Sequence, residues 1–200
     1  MDEKTEESLV SAAVDGERDA VAELLARHGE TVRLRLRGKL SPRWQSVLEV
    51  DDVLQVTFLE VFLRIGRFED RGPGSFEAWL NRIADNNLMD AVRALDAAKR
   101  LPPEKRIVFP EGGESSVALL DAVGFTTGTP SRQAVAAETL VELRKAISKL
   151  PRDYERVLTL YDLEGQPIST VAQHLGRSPG AIYMLRARAL DYLRESMASA

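Results

Sequence analysis

The chain has 200 residues and a formal net charge of −4, with 44% hydrophobic, 29% charged and 6% aromatic residues. Few aromatics among many Ala, Leu and Arg residues favour helix, because most of these side chains lose little rotamer freedom there. The absence of cysteine excludes disulfides, thiolate metal sites and cysteine nucleophiles, and two distant histidines, His28 and His174, make a poor metal or triad site.

No apolar run approaches the roughly 20 residues of a membrane span. The acidic stretch Met1 to Glu7 lacks the basic-then-apolar order of a signal peptide. A cytoplasmic protein without membrane contact, cofactor or metal is therefore expected. The acidic total argues against nonspecific coating of nucleic acid. Basic side chains are nevertheless clustered: Arg33, Arg35, Arg37, Lys39 and Arg43 occur with no acidic residue between Thr31 and Leu48.

The first half reads as four helices. A short one spans Ser8 to Val14 and breaks at Asp15-Gly16. A second runs from Glu17 to Leu40, with Val21, Leu24, Leu25 and His28 on one face, and stops before Pro42. A third starts at Asp51, read as its N-cap, and carries Leu54, Phe58, Val61, Phe62 and Ile65. Residues Gly66 to Gly74 form a loop. Ser75 is read as the cap of a long helix from Phe76 to Arg100, with Phe76, Trp79, Leu80, Ile83, Leu88 and Leu95 as its apolar stripe.

Residues 101 to 133 hold four of the nine prolines and read as an extended, flexible linker, in which Val117 to Leu120 could form one helical turn or a docking patch. Helical patterning returns over 134–149, 152–163, 168–175 and 179–197. The expected architecture is all-α: a helical domain over 1–100, a linker over 101–133, and a second helical domain over 134–200.

The last two helices carry a helix-turn-helix pattern. Gly176 supplies a tight left-handed turn. Ser178 is read as the cap of the second helix, and Pro179 occupies its first position. Ala172 is small where the helices cross, while Val171, Leu175, Ile182, Leu185 and Leu193 face inwards. The helical wheel places Gly180, Met184, Ala187 and Arg188 outward, with Tyr183 at the flank, so that this face could enter a major groove. Arg177 is positioned to meet a phosphate, and Arg186 falls nearer the buried side, where a salt bridge is expected.

Three motifs in order resemble the extracytoplasmic-function class of bacterial sigma factors, over about Leu24 to Arg194. Val50-Asp51-Asp52-Val53-Leu54-Gln55-Val56-Thr57-Phe58 is similar to that family's polymerase-docking helix, with Asp52, Gln55 and Phe58 at the matching positions and Asp51 beside them. The segment from Phe76 to Arg93 resembles the helix that melts and reads the minus-ten element. Asn86, Asp90 and Arg93 share one face there, and the resemblance implies DNA contacts at Arg82, Asn86, Asp90, Arg93, Lys99 and Arg100. Asp85 departs from the pattern, which usually has arginine at that position. Leu150 to Leu158, followed by the helix-turn-helix, resembles the minus-thirty-five reader, implying contacts from Arg177, Ser178, Gly180, Tyr183, Met184, Ala187 and Arg188.

The resemblance implies a non-enzymatic subunit that binds core RNA polymerase at its clamp and flap. It also implies contact with promoter DNA, both duplex and melted non-template strand, and an inhibitory anti-sigma partner. The alternative is a helix-turn-helix regulator that binds duplex DNA without polymerase, but it gives the first half no use. An enzyme is disfavoured: carboxylate pairs exist at Asp51-Asp52 and Glu69-Asp70, but adjacent residues on a helix, such as Asp51 and Asp52, point apart, and Gly72-Pro73-Gly74 is not a phosphate-binding loop.

Overall fold

Thr5 accepts a hydrogen bond on its Oγ1 from the Ser8 amide at 3.3 Å, so the first helix, α1, spans Glu6–Val14 and starts two residues earlier than its composition suggested. The structure, a computed structural model, describes residues 5–100 and 141–198 together with Leu119 and Val123. Gly16, at φ +97°, turns the chain from α1 into α2, Arg18–Lys39. Pro42 then opens a single 3-10 turn, Pro42–Trp44, which drives the Trp44 ring into the core at 1% exposure.

The next helix, α3, spans Val50–Arg64. Glu49 occupies its N-cap position without a side-chain bond, so Asp51 is a first-turn residue and not the cap expected for it. A 3-10 turn, Ile65–Arg67, leads to a loop and then to α4, Ser75–Arg100. Ser75 is the first helical residue here. Its hydroxyl donates to Asp70 Oδ1 at 2.7 Å and accepts from the Arg71 amide at 3.3 Å. Leu9, Leu24, Leu36, Val53, Val61, Phe76, Leu80 and Ala84 form the fully or almost fully buried centre of this bundle. Among the described residues no helix is long and apolar enough to cross a membrane.

The compact units divide at Arg93 and Ala94. In the second, residues 141–147 are helical (α5). Helix α6, Arg152–Val157, runs on into a π-helical turn, Leu158–Leu163. Helix α7 spans Ile168–Leu175, and α8 spans Pro179–Ala198. Gly176 takes φ +62° and ψ +41°, the left-handed turn that the helix-turn-helix pattern needs. Val171, Ile182, Leu185 and Leu193 meet inside it, each at most 1% exposed. The expected linker, apart from Leu119 and Val123, and the expected helical residues 134–140 lie outside the described residues. Leu119 is helical and buried.

Candidate nucleic-acid interface

The register of α4 is set by a buried polar cluster. Asn87, fully buried, donates from Nδ2 to Thr57 Oγ1 at 3.1 Å and to Glu60 Oε2 at 3.0 Å on α3. The Thr57 hydroxyl in turn donates to the Val53 carbonyl at 2.8 Å. A carboxamide buried this way is satisfied in only one register. With Asn87 turned inward, Arg82, Asn86, Met89 and Arg93 line the opposite side at helical spacing.

All four are exposed, Met89 by 50% and the Arg93 side chain by 71%. Asp90 is partly exposed and lies 3.5 Å from Arg93 Nη1, so it orients that guanidinium. Lys99 is exposed, while the Arg100 side chain lies outside the described residues. Met89, an apolar residue, carries no sequence signal of a nucleic-acid contact. Its exposure in the middle of a polar stripe is the signal that distinguishes it from the buried Met184.

Asp85 proves to be tied to α2. Its two oxygens accept from Arg35 Nη2 and Lys39 Nζ, each at 2.7 Å. Partial burial alone would raise its pKa, but the hydrogen bonds from Arg35 and Lys39 outweigh burial and hold it below the ordinary value. The carboxylate at this position thus draws two cations of the basic α2 segment onto the edge of the α4 face.

The loop ahead of α4 is shaped by Asp70, whose Oδ1 accepts from the Gly72 amide at 3.0 Å as well as from Ser75. These hydrogen bonds lower its pKa, and the turn requires φ +105° at Gly72 and +79° at Gly74. A recess of about 500 Å³ opens beside this loop, lined by Arg67, Phe68, Arg71, Trp79 and Arg82 together with Glu69, which pairs with Arg71 at 3.0 Å. The Phe68 and Trp79 rings lie 5.0 Å apart, centroid to centroid. Aromatic faces bordered by guanidinium groups suit unstacked bases with their phosphates.

The expected docking residues on α3 separate. Asp51 and Gln55 are exposed, Phe58 is half-buried, and Asp52 is buried at 8% exposure. Asp52 therefore does not belong to the outward stripe: successive positions on a helix point 100° apart, and Asp51 takes the solvent side. Phe58 packs against α2 at Gly29, where an added Cβ would come within 3.2 Å of Cζ. Arg33 Nε pairs with Asp51 at 2.9 Å. Leu59 and Phe62, the latter 39% exposed, complete the outward stripe with Gln55, although Phe62 had been expected on the buried face.

On α8 the expected outward face does not appear as such. Gly180 and Met184 are buried, Met184 completely, whereas the helical wheel placed both away from the core. Buried positions run almost all round this helix, so more than one side is covered, and periodicity registers only one. Tyr183 and Ala187 are partly exposed. Burial pushes the Tyr183 hydroxyl pKa up. The Arg188 side chain is 13% exposed, 3.7 Å from Asp191. Arg177, expected at a phosphate, is 11% exposed and donates to Asp153 at 2.9 Å; Ser178 is partly exposed.

Arg186 forms the expected salt bridge, with a partner in the π-helical turn. Its Nε lies 2.9 Å from both oxygens of Asp162, and Nη2 lies 2.6 Å from Oδ1. Burial raises the pKa of Asp162 against the pull of Arg186. This fork joins α8 to the segment before α7.

The Sigma-70 region 2 family matches residues 30–98, and the Sigma-70 region 4 family matches residues 140–193. The ECF RNA polymerase sigma factor ShbA of Streptomyces griseus is 30% identical over 189 residues, covering 94% of this chain and 92% of that one. The chain belongs to the ECF sigma factors. The ECF sigma factor SigD of Mycobacterium tuberculosis is 26% identical, over 97% of this chain and 84% of its own. A chain of the solved RsbN–BldN complex is 24% identical over 94% of this chain and 98% of its own, at a TM-score of 0.34. As an ECF sigma factor the protein binds RNA polymerase and promoter DNA and directs promoter-specific initiation, without enzymatic activity of its own.

Proposed function

We propose that this sigma factor divides promoter recognition between its two units, acts in the cytoplasm, and answers to an inhibitory protein partner of the anti-sigma class. The first unit holds polymerase at the clamp through the outward stripe of α3, built on Asp51, Gln55, Leu59 and Phe62. It holds the opened non-template strand along Arg82, Asn86, Met89 and Arg93 of α4. The second unit docks at the polymerase flap and reads the minus-thirty-five duplex through the start of α8, with Tyr183, Ala187 and Arg188 nearest the surface. The linker, of about thirty residues, spans up to about 100 Å when extended, enough to tether one unit at each element.

The observation that carries this reading is the exposed α4 stripe. Two arginines about 16 Å apart along the helix, by its 1.5 Å rise per residue, flank an amide and a thioether, so phosphate contacts bracket the base contacts. Transcription with purified core polymerase over a library of random promoters tests it. Start sites preceded by two spaced elements are expected. Arg82→Ala with Arg93→Ala should weaken use of the downstream element and leave core binding intact. Initiation that ignores the downstream element would overturn the assignment of α4.

A further inference from the structure

A second recess, of about 580 Å³, lies beside the α4 stripe and is bordered by Arg35, Glu77, Asn81, Arg82, Asp85 and Asn86. That volume falls in the range of ordinary ligand sites. Asn81 lines it at only 9% exposure, and its Oδ1 is buried with no hydrogen-bond partner. Buried polar atoms are paired in the great majority of cases, so an orphaned carbonyl on a residue that lines a charged recess calls for a ligand that brings a donor.

We propose that Asn81 is a specificity-determining residue of the minus-ten surface, reading an unstacked adenine or cytosine. The inference rests on the assignment of α4 to the melted strand. A carboxamide presents one acceptor and one donor side by side. Adenine and cytosine offer the matching edge, an exocyclic amino group next to a ring-nitrogen acceptor, and the paired contact of Asn with adenine is the familiar case. Guanine and thymine place a keto oxygen where that amino group should be, facing the Asn81 carbonyl.

The oxygen is covered in the free chain, and a turn about χ2 brings it to the recess. That torsion is broad for asparagine. Arg82 and Arg35 stand at the rim to take the flanking phosphates. Asp85, 2.7 Å from Arg35 and from Lys39, is a positioning residue that fixes the guanidinium at that rim.

The test compares the full-length chain with Asn81→Leu and Asn81→Asp, each with core polymerase on a library randomised through the minus-ten element. Wild type is expected to favour adenine or cytosine at one position there. Asn81→Leu should relax that position alone by roughly tenfold, without lowering the thermal midpoint, because it removes an unsatisfied carbonyl. Asn81→Asp keeps the shape and the acceptors but loses the donor, and its carboxylate would face the ring-nitrogen acceptor of either base, so it should relax the same position. It decides the matter if the leucine variant does not fold. Folded variants with an unchanged base preference would overturn this inference and leave the function standing. A wild-type protein that selects no minus-ten element at all would instead overturn the function, and the inference with it.

Discussion

The two helices that motif order assigns to DNA present themselves differently. Along α4 one side carries Phe76, Leu80, Ala84 and Leu88 into the core, while Arg82, Asn86, Met89 and Arg93 stand in solvent. Along α8 the side facing the core and much of the opposite side are both buried, Met184 with Ile182. A surface helix with one apolar stripe reveals its functional face by default. A helix covered on more than one side does not, and its reading surface narrows to the partly exposed Tyr183, Ala187 and Arg188.

The largest expected effect tests what holds α8 in place. Arg186→Met leaves Asp162, 3% exposed, without its cation, and should cost about 3 kcal/mol in denaturant unfolding at neutral pH. Burial already raises the pKa of Asp162, and losing Arg186 raises it further. The folded state then binds that proton more tightly than the unfolded state. The deficit should therefore be complete above the raised pKa and shrink as pH falls and Asp162 is protonated. A loss independent of pH would mean that the fork does not carry the packing.

Next comes the contrast in exposure itself. The chain has no cysteine, so single cysteines can be placed at will. In the free protein a Met89→Cys thiol should alkylate roughly a hundredfold faster than a Met184→Cys thiol, whose access requires local opening. Equal rates would remove the distinction between the two helices.

A smaller effect follows from charge on α4. Arg82→Ala and Arg93→Ala should each flatten the salt dependence of single-strand binding by a slope of about 0.7, measured by fluorescence anisotropy. The same change at Arg177, which is paired with Asp153, should cost stability and leave the slope unaltered.

Asp85→Asn gives the smallest effect. Arg35 and Lys39 hold this carboxyl below its ordinary value of 3.8. Its contribution is present above that value and lost as pH falls through the lowered folded pKa, so the variant should be less acid-sensitive below about pH 4. At neutral pH the loss should stay within about 1 kcal/mol, given partial exposure. Freeing the two cations should also strengthen nonspecific single-strand binding. An unchanged acid limb would show that the ion pairs contribute nothing.

Much of this was legible beforehand. The 3.6-residue spacing of Phe76, Leu80 and Leu88 located the core side of α4, and Gly176 with Pro179 located the helix-turn-helix. Local rules misplaced residues where a tertiary partner intervened. Ser75 and Asp51 have good capping chemistry, yet Ser75 bonds Asp70, and Glu49 stands at the α3 N-cap. Asp85 was visible as a departure, but its partners lie 46 and 50 residues earlier in the chain. Met184 escaped because a helical wheel knows one buried side. Asn81 escaped because an orphaned atom is a property of packing.

The most direct measurement is photo-crosslinking in an open promoter complex, with a photoreactive amino acid at position 89 on α4 or position 62 on α3. Position 89 is predicted to crosslink to the non-template strand within the minus-ten element, and position 62 to polymerase. DNA crosslinks from position 62, with none from position 89, would contradict the assignment of these two faces.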